Sequence, residues 1–237
     1  MWLWVLATLV AFFIKGLCGF ANTLVFTSIL AFGANNVNIS PIELMLGYPT
    51  NLILAWKNRD KLKARVYIPL SILVLIGSIP GALILKNVDA GFVKTVFGIV
   101  VILLGTELLL REVMDIKSEG SKVLLGIIGI ISGLLCGMFG VGALLAAYVG
   151  RVTKTGDEFK ANISAVFIVE NSFRAILYSI LGIITVSEFK KALILIPLML
   201  IGLFAGMKSG SVLNDKVVKK IVIVLLIISG IMMIIKG

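Results

Sequence analysis

Glu170 and Arg174 stand four residues apart inside a long apolar run, and a carboxylate and a guanidinium at that spacing share one face of a helix. Charges buried in such runs are costly and mark ion pairs, anion contacts or proton carriers. Two readings stay open for this pair. It is an ion bridge that holds a helix bundle, or Arg174 contacts an anion while Glu170 carries a coupled proton. Lys15 supplies another charge, next to the cluster Gly16-Leu-Cys-Gly19-Phe-Ala21-Asn22. A cation there strengthens an anion site, and a lysine snorkelling to an interface has the same sequence. In a second cluster, Gly133-Leu-Leu-Cys-Gly137-Met-Phe-Gly140-Val-Gly142, the segment from Gly137 matches the one from Gly16 at an offset of 121. Glycine permits positive φ and close approach of a ligand. A helix restarting after such a break presents free amides and about half a positive charge, which suits an anion.

The candidate anion ligands are therefore Lys15, Gly16, Gly19 and Asn22 around the first cluster, Gly137, Gly140 and Gly142 in the second, and Asn51, Asn171 and Arg174 within long apolar runs. Glu170 is the candidate proton carrier. Thr50, Ser172 and Tyr178 are secondary candidates. Gly133 and Gly137 also have the four-residue spacing by which crossing helices pack, and the two asparagines would serve equally as interhelical glue. Glu43 and Glu107 fall near span ends and are expected at the membrane interface.

Other chemistries are excluded by what is missing. The chain contains no histidine, which removes the commonest general base and metal ligand. Its two cysteines, Cys18 and Cys136, sit among apolar residues and argue for neither a disulfide nor a zinc site. No GxxxxGK[ST], GxGD, HExxH or GxSxG segment occurs, so neither nucleotide-driven transport nor an intramembrane enzyme is expected. No cofactor and no metal are called for.

The elements that must position these residues are set by composition. Of 237 residues, 59% are hydrophobic and 14% charged, far from the soluble average and consistent with an all-α integral membrane protein. Its partners are the bilayer and a small solute rather than nucleic acid, since the net charge of +10 reads as basic cytoplasmic loops. A homo-oligomer is compatible with the sequence. The N-terminal stretch lacks a basic region and a cleavage site and is read as part of the mature fold. A span needs about 20 apolar residues. Eight apolar blocks qualify, at about 2–32, 41–56, 66–85, 92–110, 123–150, 161–186, 192–213 and 217–235.

Blocks one to four and five to eight share landmarks in order. Asn51 matches Asn171, Ile68-Pro-Leu70 matches Ile196-Pro-Leu198, and Leu104-Gly105 matches Ser229-Gly230. Two homologous halves follow, 1–115 and 116–237. Basic loops at 57–65 and 151–160 should both be cytoplasmic, which fails if block five crosses once. A re-entrant hairpin of two half-helices, broken at the glycines, resolves the conflict. Each half then has one hairpin and three crossings, so the halves are inverted, and cytoplasmic segments hold fourteen basic residues against five outside. Eight full crossings with parallel halves is the alternative. The hairpins are expected to face a shared, water-accessible anion pocket. Pro69, Pro80 and Pro197 are expected to kink helices.

The paired glycine segments, each opening a four-block repeat, resemble the TauE/SafE sulfite-exporter family of membrane transporters. The second cluster is close to the family's GxxxGxxGxG pattern, whereas Ala21 and Asn22 stand where the first copy would carry glycines. The resemblance spans nearly the whole chain and implies movement of small sulfur-containing or organic anions, such as sulfite or sulfonates. The expected function is thus a secondary transporter in the cell membrane, multi-pass, working by alternating access with proton coupling. An anion channel is the alternative.

Overall fold

The computed structural model describes residues 2–30, 36–89, 122–140 and 142–209, with isolated helical positions between 91 and 110 and at 224, 227 and 231. Eight α-helices account for the continuous stretches: α1 (Trp2–Cys18), α2 (Asn22–Leu30), α3 (Asn36–Lys57), α4 (Ala64–Asn87), α5 (Lys122–Phe139), α6 (Ala143–Val152), α7 (Gly156–Ile180) and α8 (Val186–Ser209). A short 3-10 turn, Arg59–Lys61, links α3 to α4. No strand occurs among the described residues. Among the described residues three helices, α4, α7 and α8, are long and apolar enough to cross a bilayer. The fourth and eighth apolar blocks, with Glu107 and the landmarks at 104–105 and 229–230, lie largely outside the described residues.

Both glycine clusters break the helix that contains them. After α1 the chain turns through Gly19 and Ala21, both at positive φ, and after α5 through Gly140 at positive φ. At the first break the chain reverses. Phe26 of α2 touches Phe12 and also Trp4 near the start of α1, with ring centroids 6.4 Å and 5.9 Å away. A continuing helix would separate residues 4 and 26 by about 33 Å. The sixth block ends earlier than its expected limit near 186. α7 stops at Ile180, Gly182 takes a positive φ, and α8 begins at Val186, as a glycine just past a helix end commonly arranges. Pro69, Pro80 and Pro197 all lie inside continuous helices, as do Pro41 and Pro49.

Packing joins helices from opposite ends of the sequence. The most extensive contacts are α4 on α5 and α1 on α8, followed by α3 on α7. In α1–α8 and α4–α5 the backbones nearly touch. A Cβ on Gly206 would strike the carbonyl of Phe13, and one on Gly16 the carbonyl of Leu203. Gly77, Gly81, Gly133 and Gly137 do the same between α4 and α5. Small residues allow this approach where lipid gives no hydrophobic drive for helix association. The contacts also fix direction. Leu9 meets Gly202 and Phe13 meets Gly206, while Val74 meets Gly133 and Ser78 meets Gly137. So α1 runs parallel to α8 and α5 runs parallel to α4.

The loop after α3 meets the first two turns of α7. The Lys63 amide donates to Asn162 Oδ1 at 2.8 Å, Asn162 Nδ2 donates to the Lys61 carbonyl at 3.1 Å, and Lys63 Nζ pairs with Glu158 at 2.6 Å. Hence α4 starts beside the first turn of α7, whereas α8 starts beyond its far end. The parallel partners of α4 and α8, which are α5 and α1, accordingly point in opposite directions.

Candidate functional site

Where α1, α2, α3, α5 and α7 converge, the interior carries an unusual set of polar side chains. Lys15, Glu43, Glu170 and Arg174 are each no more than 3% exposed, in a protein whose surrounding core is aliphatic and aromatic. Buried charges survive only when paired and hydrogen-bonded, and here two cations face two carboxylates.

Arg174 is the hub. Its Nη1 donates to the Cys136 carbonyl at 2.9 Å, its Nη2 to Asn171 Oδ1 at 3.0 Å, and the same nitrogen lies 3.4 Å from Glu43 Oε2. Its Nε stands 3.3 Å from Glu170 Oε1, the pairing expected from the four-residue spacing. That contact lacks hydrogen-bond alignment, and neither Glu170 oxygen accepts a hydrogen bond among the described residues. Tyr178, one turn beyond Arg174, donates to the Gly137 carbonyl at 2.8 Å, and Ser40 donates to that of Met138 at 3.2 Å. The last turn of α5 thus has its carbonyls bonded by side chains of α3 and α7. The cation also suits the negative end of that helix.

Glu43 completes the set from the other break. Its Oε1 accepts from Asn22 Nδ2 at 2.7 Å and from Thr23 Oγ1 at 2.6 Å. Asn22 and Thr23 open α2, whose first intrahelical bond runs from the Val25 amide to Ala21, so the carboxylate sits at the positive end of that helix. The expectation that Glu43 is interfacial is overturned: α3 begins at Asn36, one turn upstream of the block's expected start at 41, which carries Glu43 inward. Lys15 reaches the same neighbourhood, its Nζ 3.4 Å from the carbonyl of Gly47, one turn along α3 from Glu43. Snorkelling does not describe it, since Lys15 is 1% exposed.

The remaining sequence candidates divide by environment. Gly140 lies under Arg174 and Glu43, where a Cβ would collide with both, and its positive φ independently favours glycine. A Cβ on Gly142 would meet the Phe167 ring, and one on Gly19 the stem of Lys160. Gly16 and Gly137 face the backbones of α8 and α4, so close packing accounts for glycine at both. Asn171 joins the hub. Asn51 is buried on α3 with its Oδ1 making no hydrogen bond among the described residues. Thr50 turns its hydroxyl to the Gly47 carbonyl, and Ser172 bonds Tyr48 across α3 and α7. Residues missed in the sequence are Glu43 and Thr23. Glu43, Gly47 and Asn51 follow helical spacing on α3, so the face bearing Asn51 also bears Glu43.

Among the described residues the polar set is buried. Two grooves of 820 and 240 Å³ flank α3 and α8, and neither is lined by any residue of the buried polar set. The arrangement is a buried, charge-balanced cluster between two broken helices.

The family model for the sulfite exporter TauE/SafE matches residues 4–233. The chain belongs to the TauE/SafE family. No curated protein and no solved structure matches it. Both helix breaks, every charge of the cluster and the apolar helices that carry them fall inside the TauE/SafE match, so the protein is a membrane transporter by family.

Proposed function

We propose that this TauE/SafE protein is a secondary transporter of small oxyanions, sulfite and short sulfonates foremost, in the cell membrane. The observation that carries the reading is the convergence of Arg174, Lys15, Asn171 and the α2 N-terminus on one buried point between two broken helices. These groups are all hydrogen-bond donors or positive dipole ends, except the Asn171 carbonyl now turned to Arg174. Arginine's planar fork suits a trigonal or tetrahedral oxyanion. Amide donors and helix N-termini serve the same purpose in repeat-built transporters.

Alternating access between inverted halves is the mechanism this geometry favours. The opposite directions of α1 and α5, and the meeting of the 57–63 and 158–162 segments at one end, support two inverted halves, 1–115 and 116–237, each with a re-entrant hairpin. Eight full crossings would place those two segments at opposite ends. Entry of an anion adds negative charge to a set with two cations and two carboxylates. A proton on Glu170, the carboxylate without hydrogen-bond donors, restores the balance and gives anion–proton coupling.

Counterflow in proteoliposomes tests the reading. Vesicles loaded with unlabelled sulfite should take up labelled sulfite faster than empty ones, with saturation, and small sulfonates should compete. Flux that neither saturates nor shows counterflow would refute it.

A further inference from the structure

Glu43 is bonded as a bound oxyanion would be. One carboxylate oxygen takes two donors, Asn22 Nδ2 at 2.7 Å and Thr23 Oγ1 at 2.6 Å, and the other faces Arg174 Nη2 at 3.4 Å. The carboxylate lies at the first turn of α2, where amides lacking intrahelical partners favour negative charge. A cargo oxyanion drawn to this convergence meets a site already filled. Glu43 also has somewhere to go. Lys15 Nζ lies on the Gly47 carbonyl, one turn away on α3, and the Glu43 Oε1 atom itself abuts Gly47.

Resting on the transporter reading above, we propose that the Glu43 carboxylate is a tethered stand-in for cargo: it occupies the oxyanion position made by Asn22, Thr23 and Arg174, and the transported anion displaces it toward Lys15. Filling the position from within keeps Arg174 paired when no cargo is bound, so an empty carrier does not hold an uncompensated buried cation. It also makes binding a competition, in which an anion enters only by matching the donors that Glu43 gives up. Selectivity for oxyanions over halides follows, because the displaced group is itself a two-oxygen acceptor.

Binding of sodium sulfite to the purified full-length protein tests this by calorimetry, with methanesulfonate and acetate as further probes. Glu43→Gln removes the charge that competes for Arg174 and should bind sulfite about tenfold more tightly than the parent protein. Adding Thr23→Val to Glu43→Gln should then weaken binding by about the same factor, since the hydroxyl now serves the anion. A Thr23 that only anchors Glu43 would leave affinity unchanged in that background and overturn the proposal. So would a monodisperse Glu43→Gln protein with unchanged or weaker binding. Should Glu43→Gln not fold, Glu43→Asp keeps the charge on a shorter arm and should raise affinity by a smaller factor; unchanged affinity there also counts against the stand-in. If neither parent nor variant binds any of the three probes, the oxyanion reading itself falls and the stand-in with it. Parent binding without the Glu43 effects defeats the stand-in alone.

Discussion

Arg174 has four partners from three helices, and no other side chain type offers five donors in one plane to serve them. Arg174→Ala leaves Glu43 and Glu170 buried without their cation, so it should destabilise the fold by about 3–5 kcal/mol and lower the melting temperature in detergent. Arg174→Lys keeps the charge but not the fork. It should fold while losing sulfite binding, and retained binding would make the guanidinium dispensable. Gly140→Leu drives a branched side chain into Arg174 and Glu43 at a position with φ of 72°, so uptake in vesicles should vanish; unchanged uptake would remove Gly140 from the site. The Glu170–Arg174 pair was legible because spacing of four is a local property of one helix. Glu43 was not, since its partners lie 20 to 131 residues away and its inward position depends on where α3 begins.

The helix breaks were legible for a different reason. The apolar runs at 2–32, interrupted only by Lys15, and at 123–150, without a charge, are too long for one straight span, and the chain does break at Gly19 and at Gly140. Which glycines face a ligand and which face another helix was not legible, because both uses look alike along the chain. Gly16 and Gly137 face helix crossings, while Gly140 lies in the polar cluster. Gly206→Leu would push α1 from α8 against a backbone carbonyl and should reach the upper end of the ~1–3 kcal/mol typical of overpacking, seen as a fall in monodisperse yield. Gly126→Ala, on α5 with no atom near the added methyl, should instead gain about 1 kcal/mol of helix stability. Equal behaviour of the two variants would contradict the crossing geometry.

For the molecule as a whole, the basic loops at 57–65 and 151–160 gave the same-side arrangement from charge alone, and Lys63, Glu158 and Asn162 now join them directly. Single-cysteine variants at exposed Lys61 and Lys154, in a background lacking Cys18 and Cys136, should both react with an impermeant reagent only from the cytoplasm. Ser187→Cys, at the start of α8, should react only from outside, and any other pattern would break the inverted arrangement. Charge bias could not reveal that α1 packs on α8 and α5 on α4, because that pairing is a matter of backbone approach. It has a consequence for biogenesis. At roughly 5–20 residues per second, α1 leaves the ribosome about 10–40 seconds before the helix it must lie against. During that interval the flank of α1 around Leu9, Phe13 and Gly16 is a vacant berth, and a chaperone or insertase that shelters the newborn segment would decide how much protein survives.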